Sequence, residues 1–180
     1  MDFRIAIEKT EALDKLFPLF HGQSARILAY VAVKGEATPE EIRGDLGIPR
    51  STVYKLLSEL FAVGLASKER RGKVEVVKVP DFVVFADTAA IGKLRVTPWN
   101  IPAFDAAHLP AGKMFIERHG LGKFARFVEL YDSYIKGNTT ARLMARELGV
   151  TRYEVEILLS DIGSMYPWAM GLAAHHGRRQ

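Results

Sequence analysis

The chain has no cysteine, which excludes disulfide staples, thiolate zinc sites and a cysteine nucleophile together. Side-chain amides are nearly missing as well: glutamine occurs only as Gln23 and Gln180, asparagine only as Asn100 and Asn138. A chain so poor in thermolabile residues fits a thermophilic source. No apolar run is long enough to cross a membrane, and the N-terminal stretch Met1 to Glu8 lacks the basic segment and long apolar core of a secretory signal, so a cytoplasmic location is expected. Nothing resembles a nucleophile elbow, a phosphate loop or a metalloprotease helix, so the expectation is no enzyme, no catalytic residue and no cofactor. The five histidines are scattered apart from His175 and His176. Adjacent residues point about 100° apart on a helix and these have no acidic companions at ligand spacing, so no metal site is expected.

What is present is an ordered composition: 180 residues, 48% hydrophobic and 26% charged, with ten phenylalanines. That length buries a core as one compact domain or two small ones, and the pattern below favours two. The net charge of +4 and the pI near 9.3 suit a polyanionic partner only if the positive charge is concentrated.

Along the chain, alternation at Phe3, Ile5 and Ile7 predicts a short strand, and Leu13, Leu16, Phe17 and Phe20 mark one face of a short helix interrupted by Pro18. From Ser24, the apolar residues Ala25, Leu28, Val31 and Ala32 follow helical spacing up to Gly35. Thr38-Pro39-Glu40-Glu41 is a complete helix start, with a Thr cap, Pro in the first turn and Glu41 placed to bond back to the cap. This also accounts for the Glu40-Glu41 pair without acid–base chemistry. Ile42 and Leu46 give that helix its buried face and Gly47 ends it. After Gly47-Ile48-Pro49 a third helix carries Val53, Leu56, Leu57, Leu60 and Phe61 on one stripe and closes at Gly64. Leu65 to Glu69 and Val74 to Val79 read as strands joined by a turn at Arg70-Arg71-Gly72-Lys73. Three helices followed by a hairpin is the order of a winged helix-turn-helix.

A helix-turn-helix needs a tight turn opened by a small residue and locked by apolar contacts, roles open to Gly47, Ile48, Val53 and Leu56. Its second helix then protrudes into the major groove of duplex DNA. Off the buried stripe that helix offers Arg50, Ser51, Thr52, Tyr54 and Lys55. Arginine can bond guanine bidentately, the hydroxyls can reach phosphate or base edges, and Tyr54 and Lys55 can reach the backbone. Lys68, Arg70, Arg71 and Lys73 concentrate charge at the hairpin, where a wing lies along the backbone or in the minor groove and gives salt-sensitive affinity.

The stretch from Thr38-Pro39-Glu40-Glu41-Ile42 through Leu46-Gly47-Ile48-Pro49-Arg50-Ser51-Thr52-Val53-Tyr54-Lys55-Leu56-Leu57 to Val63-Gly64-Leu65 resembles the archaeal winged helix-turn-helix regulators of the TrmB, MarR and ArsR-like group. The resemblance covers residues 20 to 80. It implies a recognition helix starting at Arg50 and a wing tip at Arg70 to Lys73. Arg43 departs from it, since such motifs usually hold a small residue there, facing the turn.

Ungapped alignment of Ile42 to Leu60 on Met144 to Ile162 pairs Leu46 with Leu148, Gly47 with Gly149, Arg50 with Arg152, Val53 with Val155, Leu56 with Leu158 and Leu57 with Leu159. This predicts a second helix-turn-helix-like unit, in helices at about 139 to 148 and 151 to 162. Its surface carries Glu154 and Glu156, with Asp161 beyond, which repel phosphate. Any DNA contact there would fall to Arg142, Arg146 and Arg152, and dimerisation is the natural use of such a unit. The tail of Met165, Tyr166, Trp168, Met170 and Leu172 is apolar enough to cover a partner or its own core. Phe115, Phe124, Phe127, Tyr131 and Tyr134 have core spacing, with an effector pocket as the competing reading.

The expected fold is mainly α with a small β-hairpin wing. It comprises an N-terminal winged helix-turn-helix domain over 1 to 80, a partly ordered connector over 81 to 118, in which Phe82 to Phe85 and Leu94 to Val96 look strand-like while Pro98, Pro102, Pro110 and Gly112 break up regular structure, and a C-terminal helical domain over 119 to 180. The expected function is a sequence-specific duplex-DNA-binding transcriptional regulator acting as a homodimer. The alternative is an assembly subunit whose winged helices dock proteins of the transcription or replication machinery.

Overall fold

The computed structural model describes residues 3–5, 17–88 and 92–169. Leu13, Leu16, Met170, Leu172, His175 and His176 lie outside them. A 3-10 turn at Phe17–Phe20 leads into helices α1 (Gly22–Lys34), α2 (Pro39–Leu46) and α3 (Arg50–Ala62), then strands β2 (Ser67–Arg71) and β3 (Val74–Lys78).

Each boundary has a local cause. At α2 the Thr38 hydroxyl accepts from Glu41 N at 3.2 Å while the Glu41 carboxylate accepts from Thr38 N at 2.7 Å, the reciprocal cap that the sequence spells out. Gly47 ends the helix in the left-handed conformation at φ 65°, ψ 29°, where a side chain would be strained. Ala25, Leu28, Val31, Ile42, Leu46, Val53, Leu57 and Leu60 are buried where these helices meet. The hairpin is antiparallel, with Arg70 opposite Glu75, and hangs on the bundle through a bridge between Ala37 and Val77. All five residues of β2 are exposed, so the wing is held through β3, where Val76 and Val77 turn inward.

The segment expected as a partly ordered connector is regular structure. Strand β4 (Phe82–Thr88) pairs in parallel with β1 (Phe3–Ile5) and antiparallel with β5 (Gly92–Val96), giving a sheet ordered β1-β4-β5. Helix α4 (Ile101–Asp105), a 3-10 turn at Ala106–His108 and α5 (Pro110–His119) follow. Two of the three prolines taken as breakers sit in first turns, Pro102 as the second residue of α4 and Pro110 as the first of α5, where a missing N–H costs no hydrogen bond, while Pro98 lies in the turn between β5 and α4. Gly112 is a contact point, since a Cβ there would lie 1.8 Å from the Ala106 carbonyl oxygen. Asn100 is fully buried. Its side chain accepts from Thr97 N and donates to Arg95 O, both at 2.8 Å, which ties β5 to α4.

Helices α6 (Leu121–Ile135), α7 (Ala141–Leu148) and α8 (Arg152–Met165) follow, and residues 167–169 are also helical. The aromatic set Phe115, Phe124, Phe127 and Tyr131 runs as a contiguous series of ring contacts between 5.9 and 6.5 Å, and all four are buried. They are core, as their spacing implied. Phe124 also faces an apolar cavity of about 230 Å³ shared with Phe17, Leu94, Phe104 and Val128.

The two halves share one hydrophobic cluster reaching from Leu19 to Ala169. Phe20 stacks on Phe82 at 5.9 Å and meets the edge of Phe104 at 6.0 Å. Buried Asp105 gathers three donors: Gly22 N at 3.1 Å, Tyr166 Oη at 2.5 Å and His21 Nδ1 at 2.5 Å. It thereby pins the start of α1 to the end of α8. Tyr166 and Trp168 therefore cover the chain's own core, with Trp168 set edge-on against Tyr30 and Tyr166.

Candidate nucleic-acid interface

Helix α3 begins at Pro49, which supplies no side-chain cap, and its first turn holds no acid. The first helical bond is Val53 N to Pro49 O at 3.0 Å, so the N–H groups of Arg50, Ser51 and Thr52 face outward, with the positive end of the helix dipole behind them. Arg50, Ser51, Tyr54 and Lys55 are exposed and Thr52 is half-buried. The Arg50 guanidinium lies 5.6 Å from the Tyr54 ring, and Tyr54 Oη reaches Glu40 at 3.3 Å. Arg43, the departure from the motif, is exposed rather than packed into the turn.

The wing cations differ in what they meet. Lys68 pairs with Glu75 at 3.5 Å and lies 5.7 Å from the Phe61 ring. Arg71 makes a bidentate pair with Glu36, at 2.8 and 3.1 Å, and meets Glu69 at 3.3 Å. Lys78 bonds the other Glu69 oxygen at 2.5 Å. The Glu69 carboxyl is accordingly held below its usual range, by Lys78 first and Arg71 second. Arg70 donates only to the Gly72 carbonyl at 3.2 Å. Among the described residues neither Arg70 nor Lys73, nor Arg50 nor Lys55, has a carboxylate partner within 4 Å. The expected nine-residue set therefore divides. Arg50, Lys55, Arg70 and Lys73 are exposed cations without an acid, whereas Lys68 and Arg71 are engaged. The Glu36 clamp was not legible in sequence, because Glu36 and Arg71 meet only once the hairpin folds back beside α1.

The second helix-turn-helix repeats the geometry of the first. Gly149 is left-handed at φ 63°, ψ 43°, and Val150 N bonds Ala145 O at 3.0 Å as Ile48 N bonds Arg43 O at 3.2 Å. The chemistry at the head of its second helix is inverted. Thr151 and Glu154 close the N-terminus of α8 with a capping box. Glu154 also takes Arg118 at 2.8 Å and His119 at 2.9 Å. These partners, His119 foremost, lower its carboxyl well below the usual range. Glu154, expected as a surface acid, is thus a largely covered cap, and Glu156 is paired with Arg152 at 2.7 Å.

Among the described residues no three His, Cys, Asp or Glu side chains cluster as metal ligands, and no helix is long and apolar enough to cross a membrane. Residues 113–164 match a family of unknown function, DUF7437, a match that spans α6, α7, nearly all of α8 and the part of α5 from Lys113 on. No curated protein and no solved structure matches the chain. Residues 20–83 match the family described as the sugar-specific transcriptional regulator TrmB. Three helices, the turn at Gly47 and the hairpin fall within that match, and residues 20–83 are a TrmB-like regulator segment with winged helix-turn-helix architecture.

Proposed function

We propose that the chain is a sequence-specific duplex-DNA-binding transcriptional regulator, with α3 in the major groove and the β2–β3 wing on the backbone or in the minor groove. The observation that carries this is the contrast between the heads of two corresponding helices. That of α3 is uncapped, free of acid and flanked by unpaired Arg50 and Lys55. That of α8 is sealed by a carboxylate. Outward N–H groups and the helix dipole favour phosphate at the first, whereas at the second the Thr151–Glu154 box takes up N–H groups and the Glu154 carboxylate repels phosphate. Arg70 and Lys73 extend the unpaired positive charge to the wing, and Ser51, Thr52 and Tyr54 supply hydroxyl groups to the same face. The TrmB match over residues 20–83 favours the same function. A regulator of this kind works inside the cell, and as a homodimer it would address two half-sites with two copies of α3.

The test is fluorescence anisotropy of a labelled random duplex at two salt concentrations, with wild type and the Arg50→Ala, Lys55→Ala double variant. Binding that weakens with salt and drops in the variant is expected. Absence of binding at low salt would sink the reading.

A further inference from the structure

Arg50 heads α3 and Tyr54 stands four residues on, so the two side chains are neighbours one turn apart on the same side of the helix. The Arg50 guanidinium sits 5.6 Å from the centre of the Tyr54 ring, within the range of an attractive cation–π contact. Such a contact uses the face of the guanidinium and leaves its N–H groups, which lie in the plane, free to donate. The far end of the ring is anchored in turn, since Tyr54 Oη donates to Glu40 Oε1 at 3.3 Å. Glu40 belongs to the first turn of α2, which the Thr38–Glu41 box holds in place. The second helix-turn-helix shows the other use of these positions. In the register that aligns the two units, Arg152 takes the place of Arg50, Glu156 that of Tyr54 and Arg142 that of Glu40. There Arg152 Nε donates to Glu156 at 2.7 Å, so that arginine spends a donor and its charge on its neighbour. With a tyrosine in that place Arg50 is oriented but keeps its charge and, among the described residues, all of its donors.

We propose that Glu40 and Tyr54 are positioning residues that make Arg50 the reader of one guanine base; the proposal rests on the DNA-binding reading and names what sets specificity within that site. An arginine at the head of a helix in the major groove can go to a phosphate or to a base edge. A free side chain has many rotamers from which to reach the nearest phosphate. One laid over an anchored ring points in a set direction with less freedom left to lose, and the bidentate bond to guanine O6 and N7 demands a set direction. Glu40 serves selectivity in a second way. Its negative charge beside the helix head weakens the attraction to any phosphate, while the ring it anchors favours the guanine contact, so the same carboxylate opposes the unspecific partner and supports the specific one.

Selection of bound duplexes from a random library by the full chain, followed by sequencing, tests this, with anisotropy on a random duplex over a salt series beside it. Wild type is expected to enrich a motif holding a guanine that Arg50→Ala no longer prefers. Tyr54→Leu, which keeps Arg50 itself, should lose that preference by roughly five- to a hundredfold, while its salt slope changes far less than that of Arg50→Ala. Glu40→Gln keeps an oxygen that accepts from the phenol and should keep the guanine preference, whereas Glu40→Leu should weaken it. Both remove one negative charge and should tighten binding to the random duplex alike, so charge and positioning are read separately. Glu40, Arg50 and Tyr54 are exposed, so all variants should keep thermal midpoints near that of wild type. A guanine preference that survives Tyr54→Leu, one that Glu40→Gln and Glu40→Leu affect equally, or a motif with no guanine dependent on Arg50 overturns the proposal. Failure of the DNA-binding reading is distinguishable, since wild type would then bind neither the library nor the random duplex at low salt.

Discussion

Arg71 and Lys73 stand two residues apart at the wing, but only Arg71 meets carboxylates, those of Glu36 and Glu69. An arginine already held by two acids releases few counterions from DNA, whereas a free lysine releases about one. Lys73→Ala and Arg70→Ala are therefore each expected to flatten the dependence of log affinity on log salt by about 0.9. Arg71→Ala should change it much less, and Glu36→Gln should steepen it by freeing Arg71. Anisotropy titrations over a salt series decide this, and equal slopes for Arg71→Ala and Lys73→Ala would show the clamp to be irrelevant. Asp105 is the other residue whose surroundings set a prediction. Asp105→Ala leaves the Tyr166 hydroxyl without its acceptor in a fully buried place, so a loss of about 1–3 kcal/mol is expected from denaturant midpoints.

Helices α2 and α8 share a device, a Thr-to-Glu capping box. Thr38→Ala is expected to cost about 1 kcal/mol in denaturant melts. The boxes also set an acid limit. Lys34 first, then the bonds from Thr38, lower the Glu41 carboxyl from its ordinary 4.5 to about 2. A carboxyl lowered by folding contributes stability that is full above its unfolded value and vanishes as pH falls through the folded one. This contribution should therefore fade between about pH 4.5 and 2, with Glu154, lowered in the same sense, adding to the loss. Thermal midpoints against pH for wild type and Glu41→Gln check the sign, since the variant should be flatter over that window. Periodicity, caps and terminating glycines made these helices legible in sequence with bounds close to those observed. The stretch from Phe82 to His119 was not legible in the same way. Pro102 and Pro110 read as breakers although they sit in helix first turns, and its strand β4 finds its partner β1 at the far end of the chain.

At the scale of the molecule, Phe20, Phe82, Phe104, Asp105 and Tyr166 join the winged helix to the C-terminal helices through one buried cluster. A single cooperative unfolding transition is expected in calorimetry, and two resolved transitions would refute the coupling. The amino-acid sequence alone determined the local matters: the three helices and wing of residues 20–80, the caps, the repeated helix-turn-helix and the candidate DNA-facing residues. These follow from spacing over a few residues, where the periods of helix and strand and the chemistry of caps act. Only the tertiary structure decided which cations are free and which are clamped, that Glu154 is covered by Arg118 and His119 rather than left as a surface charge, and that the central segment is core. Each of these depends on groups far apart in the chain meeting across a packed interior, and no local pattern encodes such a meeting.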